Sequence, residues 1–251
     1  MSVSPLAILI AGPPGIGKTA CVARALGRRA HWTVTERGGL DVARNPAVNP
    51  SGEVPDYDEC LTTVVPWREA LTSVRAGVAG VRAGRYVAIV LDTLSTLADR
   101  EMDHLQQTMA TGHGREWAVL GAHLRAVVNE ALAAEAIVVA ICHYEAASDF
   151  HGARPRLPGR LGSELIPSLF SVVLRCELRA GSNGAPVRVF RLPPDDPLWK
   201  DRTGVVVDGE PMDLRSVLRR ATQRLQGRVV DAAPASLLGE PIAAAHGAQP
   251  L

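Results

Sequence analysis

Apolar residues gather along the chain in two patterns. Some form unbroken runs of strand length, and others recur every three or four positions through longer stretches. LAILIA (6–11), YVAIVLD (86–92) and AIVVAICH (136–143) belong to the first kind, which predicts strands covered on both faces. HWTVTE (31–36) is β-branched and aromatic and reads as a further strand. TACVARALGRR (19–29) follows a glycine loop as a helix. WREALTSVRAGVAGVRAG (67–84) places Trp67, Leu71, Val74, Val78 and Val81 at helical spacing, and EWAVLGAHLRAVVNEALAAE (116–135) does the same with Trp117, Leu120, Leu124, Val127, Val128 and Leu132. SVVLRCELRAGSNGAPVRVFRL (171–192) predicts two strands joined at Ser182, Asn183 and Gly184. A last amphipathic helix, DLRSVLRRATQRLQG (213–227), sets Leu214, Val217, Leu218, Ala221 and Leu225 on one face and Arg215, Arg219, Arg220 and Arg224 largely on others. It reads as a helix packed on the core with a solvated basic side rather than as a DNA reader.

Three polar connectors separate these elements. The stretch 38–66, with four prolines, predicts a long ordered loop or insertion; 99–116 and 144–164 predict two more loops. From about residue 230 an Ala/Pro/Gly tail is expected to be disordered, leaving one domain over 1–229. Strands alternating with helices imply an α/β fold, a mostly parallel sheet flanked by helices, and the late hairpin makes one edge antiparallel.

Composition narrows the setting. Of 251 residues 47% are hydrophobic and 21% charged, with a formal net charge of +1, so no overall field draws nucleic acid or an acidic membrane. The four cysteines have no CxxC spacing and read as reduced core thiols. No apolar stretch approaches the roughly 20 residues that span a bilayer, and the start lacks a basic leader, so a cytoplasmic protein with no membrane contact is expected.

The chemistry begins at GPPGIGKT. Gly12, Gly15, Gly17, Lys18 and Thr19 match G-x-x-x-x-G-K-[ST] between a strand and a helix, and Gly12, Pro13, Pro14, Gly15, Ile16, Gly17, Lys18, Thr19 and Ala20 form the expected nucleotide-binding segment. Glycines there let backbone N–H groups curl round an oxyanion while the helix N-terminus adds partial positive charge. Lys18 would reach the β- and γ-phosphates of ATP or GTP, and the Thr19 hydroxyl would ligate Mg²⁺. Asp92, closing its strand, is placed to hold Mg²⁺ through water, or else caps the next helix. The following residue is Thr93, not an acid, so a base for water must come from elsewhere. Glu36 ends a neighbouring strand at the same sheet edge and could orient that water; a plain surface glutamate is the rival reading.

With GPPGIGKT, Glu36, VLDTLSTL (90–97), CHY (142–144) and a hairpin followed by KDR, the chain over roughly 5–205 resembles RecA-fold ATPases, most of all the short phage recombinases of the Sak group. The resemblance implies a RecA-like P-loop core in which His143, at a strand end where many relatives carry glutamine, senses the γ-phosphate. A core hydrogen-bonding histidine is the alternative. It also implies that Lys200 and Arg202, spaced by one residue, enter the neighbouring subunit's site as an arginine-finger pair in a homo-oligomer, filament or ring. Lys18 and Lys200 are the only lysines among 27 basic residues. The resemblance further implies single-stranded DNA as a partner, with Phe150, Arg154, Arg156 and Arg160 in the 144–164 loop favoured over the 99–116 loop, though a merely solvated loop fits as well. The expected function is an ATP- and Mg²⁺-dependent single-stranded-DNA-binding recombinase, with a single-strand-binding protein as a further possible partner. Its rivals are a ring-forming helicase-like motor, a nucleotide-switched protein scaffold, and a small-molecule kinase with no use for Lys200.

Overall fold

The computed structural model describes residues 6–46, 55–62, 64–109, 114–148, 152–182 and 184–227. In chain order the first elements are β1 (Ala7–Ala11), α1 (Lys18–Leu26), β2 (Ala30–Val34), α2 (Asp41–Arg44), β3 (Asp56–Glu59) and α3 (Pro66–Arg82). Then come β4 (Ala88–Asp92), α4 (Leu94–Thr108), α5 (Arg115–Leu132), β5 (Ile137–Cys142) and the short β6 (Tyr144–Glu145) and β7 (Arg154–Pro155). The chain continues through β8 (Val172–Ala180), β9 (Pro186–Arg191), β10 (Lys200–Asp201) and α6 (Leu214–Gly227).

One eight-stranded sheet runs β10-β8-β1-β5-β4-β2-β3, with β9 also on β8. Its interior pairs are parallel, and β9 and β10 join β8 antiparallel, which is the antiparallel edge expected from the hairpin. The central strands are buried on both faces, and the side-chain alternation divides each between two cores. Ala7, Leu9 and Ala11 of β1 face the core under α3, α4 and α5, while Ile8 and Ile10 face the one under α1 and α6. A strand wholly covered in this way has no polar face to betray its period, which is why these strands appear as continuous apolar runs.

Two expected loops contain regular elements among their described residues. The stretch 38–66 contains α2 and β3, and β3 extends the sheet parallel to β2. Its sequence DYDE has no apolar alternation because it is an edge strand with mostly exposed side chains, held by backbone pairing. The stretch 99–116 is mainly the second half of α4, which buries Leu94, Leu97, Ala98, Met102 and Leu105 at helical spacing. Thr93 caps this helix, its Oγ1 accepting from the Thr96 N–H at 3.1 Å. Trp117, expected on the apolar face of α5, is instead 47% exposed. The Leu214, Val217, Leu218 and Ala221 face of α6 is buried as expected. Strand β2 ends at Val34, so Glu36 stands two residues beyond it. Among the described residues no helix is long and apolar enough to cross a membrane, and the four cysteines are free and buried. The expected tail from residue 230 lies outside the described residues.

Candidate functional site

The parallel strands deliver their C-terminal ends to one edge, and β1 opens there into the phosphate loop. Gly15 and Gly17 take φ of +74° and +93°, the left-handed region that glycine enters without strain. Gly12 is fixed for another reason: a Cβ there would lie 2.8 Å from the Cys176 Cβ of β8. Helix α1 starts at Lys18 with no side-chain cap, so its first N–H groups have no competing side-chain acceptor. The Lys18 ammonium donates to the carbonyls of Gly12 (2.8 Å) and Pro13 (2.9 Å), folded over the loop it is meant to serve. Burial lowers its pKa, against the pull of the nearby Asp92 and Glu36 carboxylates.

Strand β5 lies between β1 and β4, so Asp92 ends two strands from the loop, yet the Thr19 Oγ1 donates to its Oδ2 at 3.0 Å. Asp92 is 1% exposed. Burial pushes its carboxyl up to about 7; Glu36 pushes the same way, while the Thr19 hydrogen bond and Lys18 oppose. A buried carboxyl beside a hydroxyl is a hard-oxygen pair short of positive charge, which suits Mg²⁺. Among the described residues no three His, Cys, Asp or Glu side chains converge. The fit is therefore to an ion that takes few protein ligands and completes its shell with phosphate oxygens and water, as Mg²⁺ does.

Two residues that the sequence reading passed over hold this edge in register. Thr35 clamps the strand end beside it: the Thr93 N–H donates to Thr35 Oγ1 (3.0 Å), Thr35 Oγ1 donates to the Thr93 carbonyl (2.7 Å), and the Thr35 N–H donates to the Asp92 carbonyl (2.8 Å). Ser95, fully buried, accepts from the His143 N–H at 2.9 Å and so ties the end of β5 to the start of α4. Neither had a distinctive motif; each is a small hydroxyl within three residues of a predicted site carboxylate.

His143 and Glu36 come together, Nε2 to Oε2 at 3.6 Å, beyond a direct hydrogen bond but within strong electrostatic reach. Burial, then Lys18, lowers the His143 pKa, so the imidazole is neutral near pH 7 despite Glu36. Its Nδ1 is buried without a hydrogen-bond partner among the described residues. Lys18, Thr19, Asp92, Glu36 and His143 thus share one edge, as the strand ends predicted.

Lys200 and Arg202 do not join them. Lys200 pairs with Val173, which pairs with Leu9, so its backbone lies two strand spacings, about 10 Å, to the side of β1 and three residues, about 10 Å, short of Gly12. The separation of about 14 Å exceeds the reach of a lysine's four-carbon stem. Neither cation has an ion-pair partner among the described residues, and burial, then Arg202, lowers the Lys200 pKa. The loop arginines differ. Arg154 Nε donates to Glu145 (2.9 Å), Arg156 to Asp99 (2.6 Å), and Arg160 to Glu164 (3.0 Å). Phe150 lies outside the described residues.

A family model described as an AAA domain matches residues 4–196. Among solved structures the chain is similar to a prototypical ATPase from the type III secretion system of pathogenic bacteria, at a TM-score of 0.50 and 12% identity, over 68% of this chain and 51% of that one. The chain spans about half the length of that structure, and at this identity the likeness is one of fold. No curated protein matches.

Proposed function

The chain belongs to the AAA domain family of P-loop ATPases, and from that premise we propose that it hydrolyses Mg-ATP in a homo-oligomer whose sites are completed by Lys200 and Arg202 of a neighbouring copy, and that it uses this cycle as a single-stranded-DNA recombinase of the phage Sak type. The observation that carries the hydrolytic part is the meeting of Glu36 and His143 on the edge that holds Lys18, Thr19 and Asp92. Backbone N–H groups of the loop and of α1 bind the phosphates, and Lys18 leaves the Gly12 and Pro13 carbonyls to meet them. Thr19 and, through water, Asp92 would hold Mg²⁺, which would supply positive charge against the negative charge developing on the phosphates. Glu36 accepts a hydrogen bond from the attacking water and turns its lone pair toward the γ-phosphorus. His143, neutral and hydrogen-bonded through its backbone to Ser95, registers whether a γ-phosphate is present.

Support for completion in trans comes from the register of β10. The two cations are too far from their own loop and carry no ion pair among the described residues, so their charge is available to another copy. Such a cation can contribute about 10³-fold or more in rate. DNA binding draws on the resemblance to the Sak group, with Arg154, Arg156 and Arg160 tracking phosphates once they exchange their carboxylate partners.

Those partners favour a second reading. Because Glu145, Asp99 and Glu164 already neutralise the three arginines, a nucleotide-switched scaffold that assembles without DNA is the alternative. ATPase rate measured over a protein concentration series, with and without single-stranded DNA, separates the two. Stimulation by DNA with a steeper than linear rise supports the recombinase; a steeper than linear rise indifferent to DNA supports the scaffold. A rate linear in protein overturns completion in trans.

A further inference from the structure

We propose that Tyr144 is a positioning residue that transmits the state of the nucleotide site to the strand bearing Lys200. What it means for catalysis rests on the reading of Lys200 as a trans cation; the coupling itself does not.

His143 and Tyr144 are consecutive, the first at the γ-phosphate edge and the second opening β6, so any shift of the His143 backbone moves Tyr144. That backbone is gripped on both sides, its N–H by Ser95 (2.9 Å) and its carbonyl by the Arg156 N–H (2.9 Å). The Tyr144 ring has two partners. The Arg175 guanidinium stands over it at 5.1 Å from the centroid, and the Trp199 ring meets it at 6.4 Å with a 43° tilt. Trp199 is 3% exposed and immediately precedes Lys200, so its seating in the core sets where β10 begins. Tyr144 also lines, with Pro13, Pro14, Gly15 and Arg175, a cavity of about 420 Å³ beside the phosphate loop. A nucleotide therefore has two routes to the ring, through His143 and through the loop itself.

Both ends of this chain carry a frustrated polar atom. Among the described residues, His143 Nδ1 and Trp199 Nε1 are buried with no hydrogen-bond partner. A buried polar atom left unpaired raises the energy of the arrangement that holds it, which lowers the cost of a shift that pairs either atom when a ligand binds at one end. The order of contacts, His143 to Tyr144 to Trp199 to Lys200, gives that shift a physical path from the γ-phosphate edge to the cation that serves the next site.

Trp199 itself reports the coupling. A non-hydrolysable ATP analogue is titrated into the wild-type protein and Trp199→Phe, and the difference in tryptophan emission isolates the Trp199 response. Nucleotide affinity is read separately with a fluorescent analogue. The expected result is a Trp199 change that saturates with the binding curve, disappears in Tyr144→Ala with affinity intact, and survives in Tyr144→Phe. In the ATPase assay Tyr144→Ala lowers kcat about tenfold with KM unchanged, and Tyr144→Phe restores it. A full Trp199 response in Tyr144→Ala, or nucleotide binding with no Trp199 response, overturns the proposal. If Lys200→Ala hydrolyses ATP normally while the Trp199 response persists, the trans cation fails and the coupling stands. If Lys200→Ala is inactive and the Trp199 response is missing, the coupling fails and the trans cation stands.

Discussion

Thr35→Val is the sharpest probe of how the edge bearing the candidate site is held together. The change is nearly isosteric, so it removes a hydroxyl without opening a cavity. Thr35 is 2% and Thr93 3% exposed, and water cannot readily substitute. Two hydrogen bonds go, but their loss is unequal. The Thr93 carbonyl still accepts from the Leu97 N–H at 3.2 Å, whereas the Thr93 N–H donates only to Thr35 Oγ1 among the described residues and is left buried and unpaired. An orphaned buried donor costs about 1–3 kcal/mol and the second bond contributes about 1 kcal/mol net, for a total of about 3 kcal/mol. At about 2–4 °C per kcal/mol for a domain of this size, Tm falls by roughly 6–12 °C. Calorimetry of the purified variant measures this, with Thr35→Ser, which keeps the hydroxyl, falling by much less. Because Asp92 precedes the released peptide, ATPase activity below Tm drops as well. A Tm within about 1 °C of wild type for Thr35→Val, or equal losses for Val and Ser, would refute the clamp.

Three further outcomes concern buried titratable groups. Asp92→Asn should reduce the Mg²⁺-dependent part of nucleotide affinity by about 10–100-fold while leaving affinity in EDTA unchanged, as fluorescent-nucleotide titration would show. Because burial raises the Asp92 carboxyl to about 7, its contribution to stability is present below its ordinary value and lost as pH rises through about 7; Asp92→Asn without nucleotide should therefore melt no lower than wild type at about pH 8. His31 works in the opposite sense. Burial lowers its pKa more than Asp58, 3.5 Å away, raises it, so the unfolded chain takes up more protons. Stability is full above about pH 6.5 and falls as pH drops through the lower folded value. Asp58→Asn removes the opposing charge, and its Tm should fall more steeply than wild type between about pH 7.5 and 5; parallel curves would show that His31 does not govern this window.

How much of this was legible in the sequence depended on whether a feature is local. The phosphate loop was fully readable, because cradling an oxyanion demands particular residues side by side and a strand and helix around them. Asp92 was readable as a strand end, and Glu36 and His143 as residues at or just past one, since a parallel sheet sends those ends to one edge; that Glu36 and His143 lie 3.6 Å apart depends on strand order, which no single stretch records. The clamp by Thr35 and the tie through Ser95 were invisible, because serine and threonine near a strand end are common and only a partner 58 or 48 residues away gives them a role. Strand β3 was missed because an edge strand needs no apolar face. Helix α4 was there to be read in Leu94, Leu97, Ala98, Met102 and Leu105, but the charged residues of its exposed side gave the stretch the look of a loop. Lys200 was flagged by the scarcity of lysine; its distance from its own phosphate loop came only from the β10 register.

That distance makes the central claim open to a direct test. Lys18→Ala disables a subunit's own site but leaves its Lys200 intact, and Lys200→Ala does the reverse, so each protein alone should have little ATPase activity. Mixed in equal amounts at a concentration that supports assembly, about one quarter of the interfaces join an intact phosphate loop to an intact Lys200. The account predicts that the mixture recovers about a quarter of wild-type activity. A mixture as inactive as its components, or a Lys200→Ala protein as active as wild type, would contradict it.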